Sequence, residues 1–367
     1  MLLFIITISV ILAFILLVLF YVRLPIFGRL PTGARLQRIQ NSPNYKDGAF
    51  QNIHDTPALT EGATYSGVMK EFFFKKSNRG TPVDTIPSQT TDLHHLDPAK
   101  NILVWFGHSS YFMQIDGKTF LVDPVFSGSA SPFSWNTKSF GGANTYSVED
   151  MPNIDYLILT HDHYDHLDYK TVVKLRPKVS KVITSLGVGE HLQRWGFDDS
   201  KVIEKNWHEE DRLADGFTIN TTPGRHFAGR AFKRNGSLWQ SFVLTTPSLR
   251  IFIGGDSGYD THFKEIGEKF GPFDLVMLEC GQYNKSWRYI HMMPEEVVQA
   301  ARDLKAKVLL PVHWAKFKLS LHAWDEPIIR VTTAAKEKNM PIITPMIGQP
   351  VDLNELTTFP RWWEGMK

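Results

Sequence analysis

The hexapeptide His161-Asp162-His163-Tyr164-Asp165-His166 constrains this chain more than any other stretch. It follows Asp155-Tyr156-Leu157-Ile158-Leu159-Thr160, an apolar run that reads as a buried strand. Its imidazoles and the Asp165 carboxylate therefore sit where a strand ends and a loop begins, a rigid support from which side chains can converge. Three imidazoles with a carboxylate form a borderline-soft donor set, suited to zinc. Spacing sorts the donors. His161 and His163 lie two apart in an extended segment and point the same way. Asp165 and His166 come as the chain turns and reach a second point nearby. This is a plan for two metal ions. The plain alternative is a polar surface turn, which leaves a histidine cluster at the end of a core strand without a packing role.

A two-metal site takes about seven or eight ligands, so further donors must come from elsewhere. Three stand in the same setting as the hexapeptide. His226 lies in Thr222-Pro223-Gly224-Arg225-His226, just after a strand expected at 217–221. Asp256 lies in Gly254-Gly255-Asp256-Ser257-Gly258, just after Ile251-Phe252-Ile253. His313 lies in Pro311-Val312-His313-Trp314, just after Val308-Leu309-Leu310. If these strands share one sheet and run the same way, their loops meet at one edge, where the active sites of α/β folds gather.

The surrounding pattern is mixed α/β. Ile102 to Phe106, Tyr111 to Ile115 and Thr119 to Val122 read as an antiparallel meander, with Asp116-Gly117 as a hairpin turn. After the hexapeptide, strands at 181–185, 217–221, 241–245, 250–253, 275–278 and 307–310 alternate with helices at 167–175, 189–195, 294–304 and 328–338. The domain boundaries follow: a membrane anchor at 1–22, an irregular arm at 23–98 rich in Pro, Gly, Asn, Ser and Thr, a mixed α/β domain at 99–350 that carries the hexapeptide, and a tail at 351–367. Met1 to Val22 carries no charged side chain, and a helix of that length crosses about 33 Å, enough for a hydrocarbon core. A signal peptide would want a basic start and a small-residue cleavage site, and neither is present. Arg23, Arg29, Arg35 and Arg38 follow the span and place the body of the protein on the cytoplasmic side. In the arm, Phe72-Phe73-Phe74-Lys75-Lys76 reads either as aromatic packing on the main domain or as a contact with the membrane interface.

Composition closes other routes. Cys280 is the single cysteine, so neither an internal disulfide nor a thiolate metal site can form. A net charge of +2 gives no broad electrostatic case for nucleic acid. Trp207, Trp239, Trp287, Trp314 and Trp324 fall in loops or strand ends and are expected mostly in the core, with some lining an apolar channel.

Several local words of the chain resemble the metallo-β-lactamase superfamily. They are Trp105-Phe106-Gly107-His108, Asp123-Pro124-Val125-Phe126-Ser127, Thr160 to Asp168, Trp207-His208-Glu209-Glu210, Gly254 to Tyr259, Phe270 to Leu275, and His313-Trp314. More narrowly, they resemble the phospholipases D that hydrolyse N-acyl-phosphatidylethanolamine. The resemblance spans about residues 100 to 350 and leaves out the N-terminal anchor. It implies a four-layer αβ/βα sandwich with a di-zinc site at one edge. One zinc would take His161, His163 and His226, the other Asp165, His166 and His313, and Asp256 would bridge both. His291 is marked as a pocket residue near the reacting phosphate, although the nearby Lys285-Ser286-Trp287-Arg288 departs from the family's wording. His108 and Asp123 also match, and read as support behind the ligands. The implied reaction releases N-acylethanolamine and phosphatidic acid. Asp165 would orient the attacking water, and His291 would stabilise a phosphate oxygen or protonate the leaving group. The partners implied are a phospholipid and a membrane, not nucleic acid, with room for a homodimer. Two other readings stand beside this one: a lactonase or soluble phosphodiesterase of the same superfamily, and a non-catalytic metal-binding membrane protein.

Overall fold

The computed structural model describes residues 1–74 and 79–367. Helix α1 (Leu2–Tyr21) buries none of its side chains and carries no charge, which makes it long and apolar enough to cross a membrane. At its end Tyr21 stacks on Phe133, ring centroids 5.1 Å apart. Helix α2 (Gly33–Gln40) then packs beside the main body. Its Arg35 donates to Glu190 and Glu204, each at 2.6 Å, and the side chain is only 13% exposed. Arg29 also pairs with Glu190, and Arg38 with Glu209. Helix α3 (Tyr65–Phe74) behaves differently. Phe72 stacks on Trp287, but Phe73 and Phe74 stay 72% and 79% exposed. The packing expected of this aromatic run holds only for Phe72. Lys75 and Lys76, expected beside it, lie outside the described residues.

Two sheets form the body. The larger has seven strands in the order Pro350–Asp352, Ile102–Trp105, Tyr111–Ile115, Lys118–Val122, Ile154–Leu159, Val179–Ser185, Val202–Lys205. The smaller has six, in the order Leu309–Val312, Leu275–Glu279, Arg250–Ile253, Ser241–Thr245, Thr218–Thr222, Glu210–Arg212. Alternation decides what each face meets. Leu103 and Trp105 point into a core shared with Phe217, Ile219, Phe242 and Leu244 of the smaller sheet. Ile102 and Val104 point the other way, into a second core. There they meet Val172 and Leu175 of α4 (Tyr169–Leu175) and Leu192 of α5 (Gly189–Arg194). On the far side, α6 (His262–Phe270), α7 (Pro294–Asp303) and α8 (Glu326–Glu337) cover the smaller sheet. Helix, sheet, sheet, helix is the four-layer sandwich. The Asp116-Gly117 turn is as expected: both residues have positive φ, 47° and 76°, which matches a type I′ hairpin.

The strands that lead to the three later donors share one sheet, as expected, and the strand before the hexapeptide lies in the other. Ile154–Leu159 belongs to the larger sheet, whereas Thr218–Thr222, Arg250–Ile253 and Leu309–Val312 belong to the smaller. Within the smaller sheet those three do run the same way. Strands buried on both faces read alike in sequence, so hydrophobicity cannot assign them to one layer or the other. The sandwich nevertheless brings all four ends to one rim.

The arm gives a first test. Replacing Arg35 by methionine leaves Glu190 and Glu204 as buried carboxylates without their shared cation, at a cost of about 3 kcal/mol. The same change at Arg38, whose pair with Glu209 is exposed on both sides, should cost at most about 1 kcal/mol. Thermal unfolding of the detergent-solubilised protein should show a clear drop for Arg35→Met and almost none for Arg38→Met. Equal shifts would contradict the buried pairing.

Candidate metal centre

Each donor is delivered by a strand end. The strand Ile154–Leu159 stops at Thr160, and the hexapeptide turns across the rim. His161 Nε2 lies 3.0 Å from His163 Nδ1, and His226 Nε2 lies 3.2 Å from the same atom. Asp256 Oδ2 stands 3.9 Å from His161 Nε2 and 3.7 Å from His226 Nε2. Three imidazole nitrogens and a carboxylate oxygen thus face one point. Asp165, His166 and His313 face a second: Asp165 Oδ2 is 3.6 Å from His166 Nε2 and 3.8 Å from His313 Nε2. Asp256 reaches this group too, with Oδ2 3.2 Å from His166 Nε2 and Oδ1 3.2 Å from His313 Nδ1. Seven sequence-predicted donors therefore gather around two neighbouring points, with Asp256 between them.

The back of four of the five imidazoles is tied, while His163 Nε2 is buried without a partner. His161 Nδ1–H donates to Thr160 Oγ1, whose hydroxyl donates to Asp123 Oδ2. His166 Nδ1–H donates to the same Asp123 oxygen at 2.8 Å. His226 Nδ1–H donates to the Ile290 carbonyl, and His313 Nδ1 meets Ser109 Oγ at 2.9 Å. His108 Nε2 holds Asp165 Oδ2 at 2.9 Å. These bonds fix tautomers and turn the opposite nitrogens inward. His108 and Asp123 stand behind the donors, where the sequence placed them. Ser109 and Thr160 were not singled out, although each neighbours a residue that was.

The donor set fits divalent cations. His166 Nε2, His313 Nε2 and Asp256 Oδ1 are buried without a hydrogen-bond partner. Orphaned polar atoms of this kind cost roughly 1–3 kcal/mol each unless a ligand meets them. Burial pushes His161, His226 and His313 well down, which keeps them neutral as ligands must be. Burial alone would raise Asp256 and Asp165, but His166 beside them outweighs it and holds both carboxyls well below the usual range. Neutral His161, His226 and His313 around ionised carboxylates are what a metal cation attracts. Burial alone would lower His166, but Asp256 and Asp165 raise it well above the usual range, and a bound cation would take the place of its proton.

The two points lie at the floor of a cleft of about 300 Å³, lined in part by Tyr65, Phe227, Arg234, Trp287, His291 and Leu319. Trp287 lines this cleft, whereas Trp207, Trp239, Trp314 and Trp324 are buried. Tyr65 and Ala58 come from the arm, so the arm builds part of the wall. Asn52, also from the arm, grips His226 on both sides: its Nδ2 donates to the His226 carbonyl at 2.8 Å and its Oδ1 accepts from the His226 N–H at 3.1 Å. Sequence reading missed Asn52, because nothing in an irregular polar stretch marks one amide for a partner 174 residues away. It also missed Glu279. That carboxylate ends the apolar strand Leu275–Glu279, the same signal that marked His226, Asp256 and His313. Glu279 is buried, and its Oε2 lies 2.9 Å from His291 Nδ1. Burial lifts the Glu279 carboxyl to about 7. Burial alone would lower His291, but Glu279 against it raises the imidazole to about 9.

Comparison with known proteins identifies the family. Residues 118–314 match the family described as the β-lactamase superfamily domain. An uncharacterised protein of Mycobacterium tuberculosis is 35% identical over 328 residues, 88% of each chain. An N-acyl-phosphatidylethanolamine-hydrolysing phospholipase D of Caenorhabditis elegans is 30% identical over 301 residues, covering 74% of this chain and 80% of that one. Among solved structures, a metallo hydrolase of Ignicoccus hospitalis superposes with a TM-score of 0.55 at 19% identity, covering 69% of this chain and 98% of that one. That likeness shows the fold. The chain belongs to the metallo-β-lactamase superfamily as a metal-dependent hydrolase, similar to the phospholipases D that cleave N-acyl-phosphatidylethanolamine.

Proposed function

We propose that this protein is a membrane-anchored di-zinc phosphodiesterase that hydrolyses N-acyl-phosphatidylethanolamine to N-acylethanolamine and phosphatidic acid. One observation carries the reading: two donor clusters share Asp256 at the floor of a cleft whose rim is the apolar, exposed helix α3. Histidine and carboxylate donors without thiolates suit zinc. His161, His163 and His226 would hold one ion, Asp165, His166 and His313 the other, with Asp256 between. Bound there, two zinc ions would supply Lewis-acid activation of water and of the phosphodiester oxygens. The chain's own groups do the rest. Asp165, held from behind by His108, lines the cleft and accepts a hydrogen bond from the attacking water, which orients it toward phosphorus. His291 lines the same cleft and stands beside the phosphate. Tyr65, Phe227, Trp287 and Leu319 offer apolar wall to acyl or glycerol chains, and Arg234 offers the anion a cation. A lipid substrate suits a protein tethered by α1, since the tether keeps the cleft at the bilayer and raises effective concentration. Arg23, at the end of the span, favours a catalytic body on the cytoplasmic face.

Metal content is the first check. Protein purified without chelators should carry close to two zinc ions per chain by elemental analysis. Asp256→Ala should lose at least one ion and nearly all activity. Asp123→Ala, which unties His166 and Thr160, should weaken zinc binding about 10–100-fold. Protein that holds no transition metal would end the reading.

Attachment is checked by fractionation. Full-length protein should stay with membranes after a high-salt wash. Protease added outside intact cells should leave the catalytic body whole, and digestion there would reverse the orientation.

The bond broken is checked with ¹⁸O-water and N-acyl-phosphatidylethanolamine. Attack at phosphorus puts the label in phosphatidic acid and none in the N-acylethanolamine. Label in a released fatty acid means attack at carbonyl carbon, and would assign the protein to the acyl hydrolases or lactonases of the superfamily.

A further inference from the structure

The cleft wall around His291 is built with unusual care. The loop that bears it, between the 3₁₀ turn Lys285–Trp287 and α7, is fastened at three points. Ile290 takes the Nδ1–H of His226 through its carbonyl. Met292 N–H donates to Glu279 Oε1 at 3.2 Å, and His291 Nδ1 meets Glu279 Oε2 at 2.9 Å. The backbone of Gly258 closes the third side: a Cβ there would lie 2.0 Å from the Tyr289 carbonyl oxygen, so only glycine allows the approach. Glu279 itself has nowhere else to go. It ends a strand, is 1% exposed, and gives its remaining acceptor capacity to Ser257 N–H at 3.2 Å, next to Asp256. One buried carboxylate thus spans the Asp256 turn and the His291 loop.

We propose that Glu279 is the positioning residue of the site: it holds the His291 ring by Nδ1–H and so turns Nε2 into the cleft as a proton donor. The inference rests on the phosphodiesterase reading for the identity of the acceptor, and on geometry alone for the hold. In the reaction, the water oxygen forms a bond to phosphorus while the bond from phosphorus to the ethanolamine oxygen breaks. The departing alkoxide takes the Nε2 proton of His291. A proton from the attacking water then restores the imidazole. Without Glu279 the ring would rotate freely about its side-chain torsions, and Nδ1 would compete with Nε2 for the proton. A purely structural carboxylate would tie backbone to backbone, and a hydroxyl or amide would serve as well. Glu279 ties two backbone N–H groups with Oε1 and beyond that commits Oε2 to an imidazole nitrogen, the arrangement that fixes tautomer and direction in acid–base catalysis.

The test is the isosteric variant Glu279→Gln, with His291→Ala and the double variant, all on full-length zinc-loaded protein. In Glu279→Gln the amide oxygen can still accept from Ser257 and Met292, but an NH₂ now faces His291 Nδ1. The ring must present a bare Nδ1 to it. ¹⁵N spectra of histidine-labelled protein, with His291 assigned by its loss in His291→Ala, should show Nδ1 protonated in the wild type and unprotonated in Glu279→Gln. This readout needs no substrate, so it stands even if the lipid assignment fails. With N-acyl-phosphatidylethanolamine, Glu279→Gln should keep zinc content and KM within about threefold while kcat falls at least about 30-fold. The double variant should be no slower than His291→Ala by more than about threefold, because both changes remove one function. An unprotonated Nδ1 in the wild type, zinc loss in Glu279→Gln, or effects that multiply in the double variant would each overturn the proposal. Wild-type protein inactive on the lipid but with Nδ1 protonated would retire the substrate and keep the hold.

Discussion

Asp123 is a carboxylate with no exposure to water, and the metal centre is hung from it. Its Oδ1 accepts from the Thr160 N–H, and its Oδ2 takes both the Thr160 hydroxyl and the His166 Nδ1–H. Through Thr160 Oγ1 it also reaches His161. A single buried oxygen therefore orients one imidazole in each donor cluster. Burial pushes the Asp123 carboxyl up, and the bonds from His166 and Thr160 pull against that. Such a group is tolerable only while every partner stays in place, since an unmet buried carboxylate is far more costly than the bonds are rewarding. Rigidity of the centre follows from this all-or-none condition. The donors cannot relax one at a time.

The same logic explains what was legible in the chain. His161, His163, Asp165 and His166 announced themselves because four donors in six residues after an apolar strand have few other uses. His226, Asp256 and His313 were readable because each ends an apolar run. Strand existence was likewise plain: Ser241–Thr245 and Arg250–Ile253 appear where alternation and apolar runs put them. What sequence could not supply was partnership. Nothing local distinguishes a strand of the larger sheet from one of the smaller, so the sequence left open which sheet carries the strand before the hexapeptide. Glu210–Arg212 is a polar edge strand without an apolar face, and Pro350–Asp352 owes its place to a neighbour at Ile102–Val104. Helix α6 opens on His262 and was passed over. Asn52 and Glu279 act through residues far away in sequence, and a residue's own neighbours do not record such ties.

The arm joins α1 to the cleft of the donors. Helix α3 exposes Phe73 and Phe74 while Tyr65, on the same helix, lines the cleft that holds the metal donors. Large apolar side chains left in water at a cleft mouth mark a surface built for an apolar neighbour. Near the end of α1, Tyr21 stacks on Phe133, and Trp135 beside it is 73% exposed. Aromatic rings of this kind favour the boundary between lipid and water. Behind them Arg35 buries its charge against Glu190 and Glu204, so the segment after the span is packed as firmly as the body itself.

The grip of Asn52 on His226 has a consequence for synthesis. The two residues lie 174 positions apart, and the amide takes both the N–H and the carbonyl of its partner. During translation at roughly 5–20 residues per second, about 9–35 s separate the making of Asn52 from that of His226. Throughout that interval α1 has already left the ribosome, and the polar stretch behind it has no partner for its backbone-directed amide. Contacts of such long separation carry a large closure entropy and form late. Asn52 can therefore hold His226 only after the intervening residues are made, and His313 is made later still.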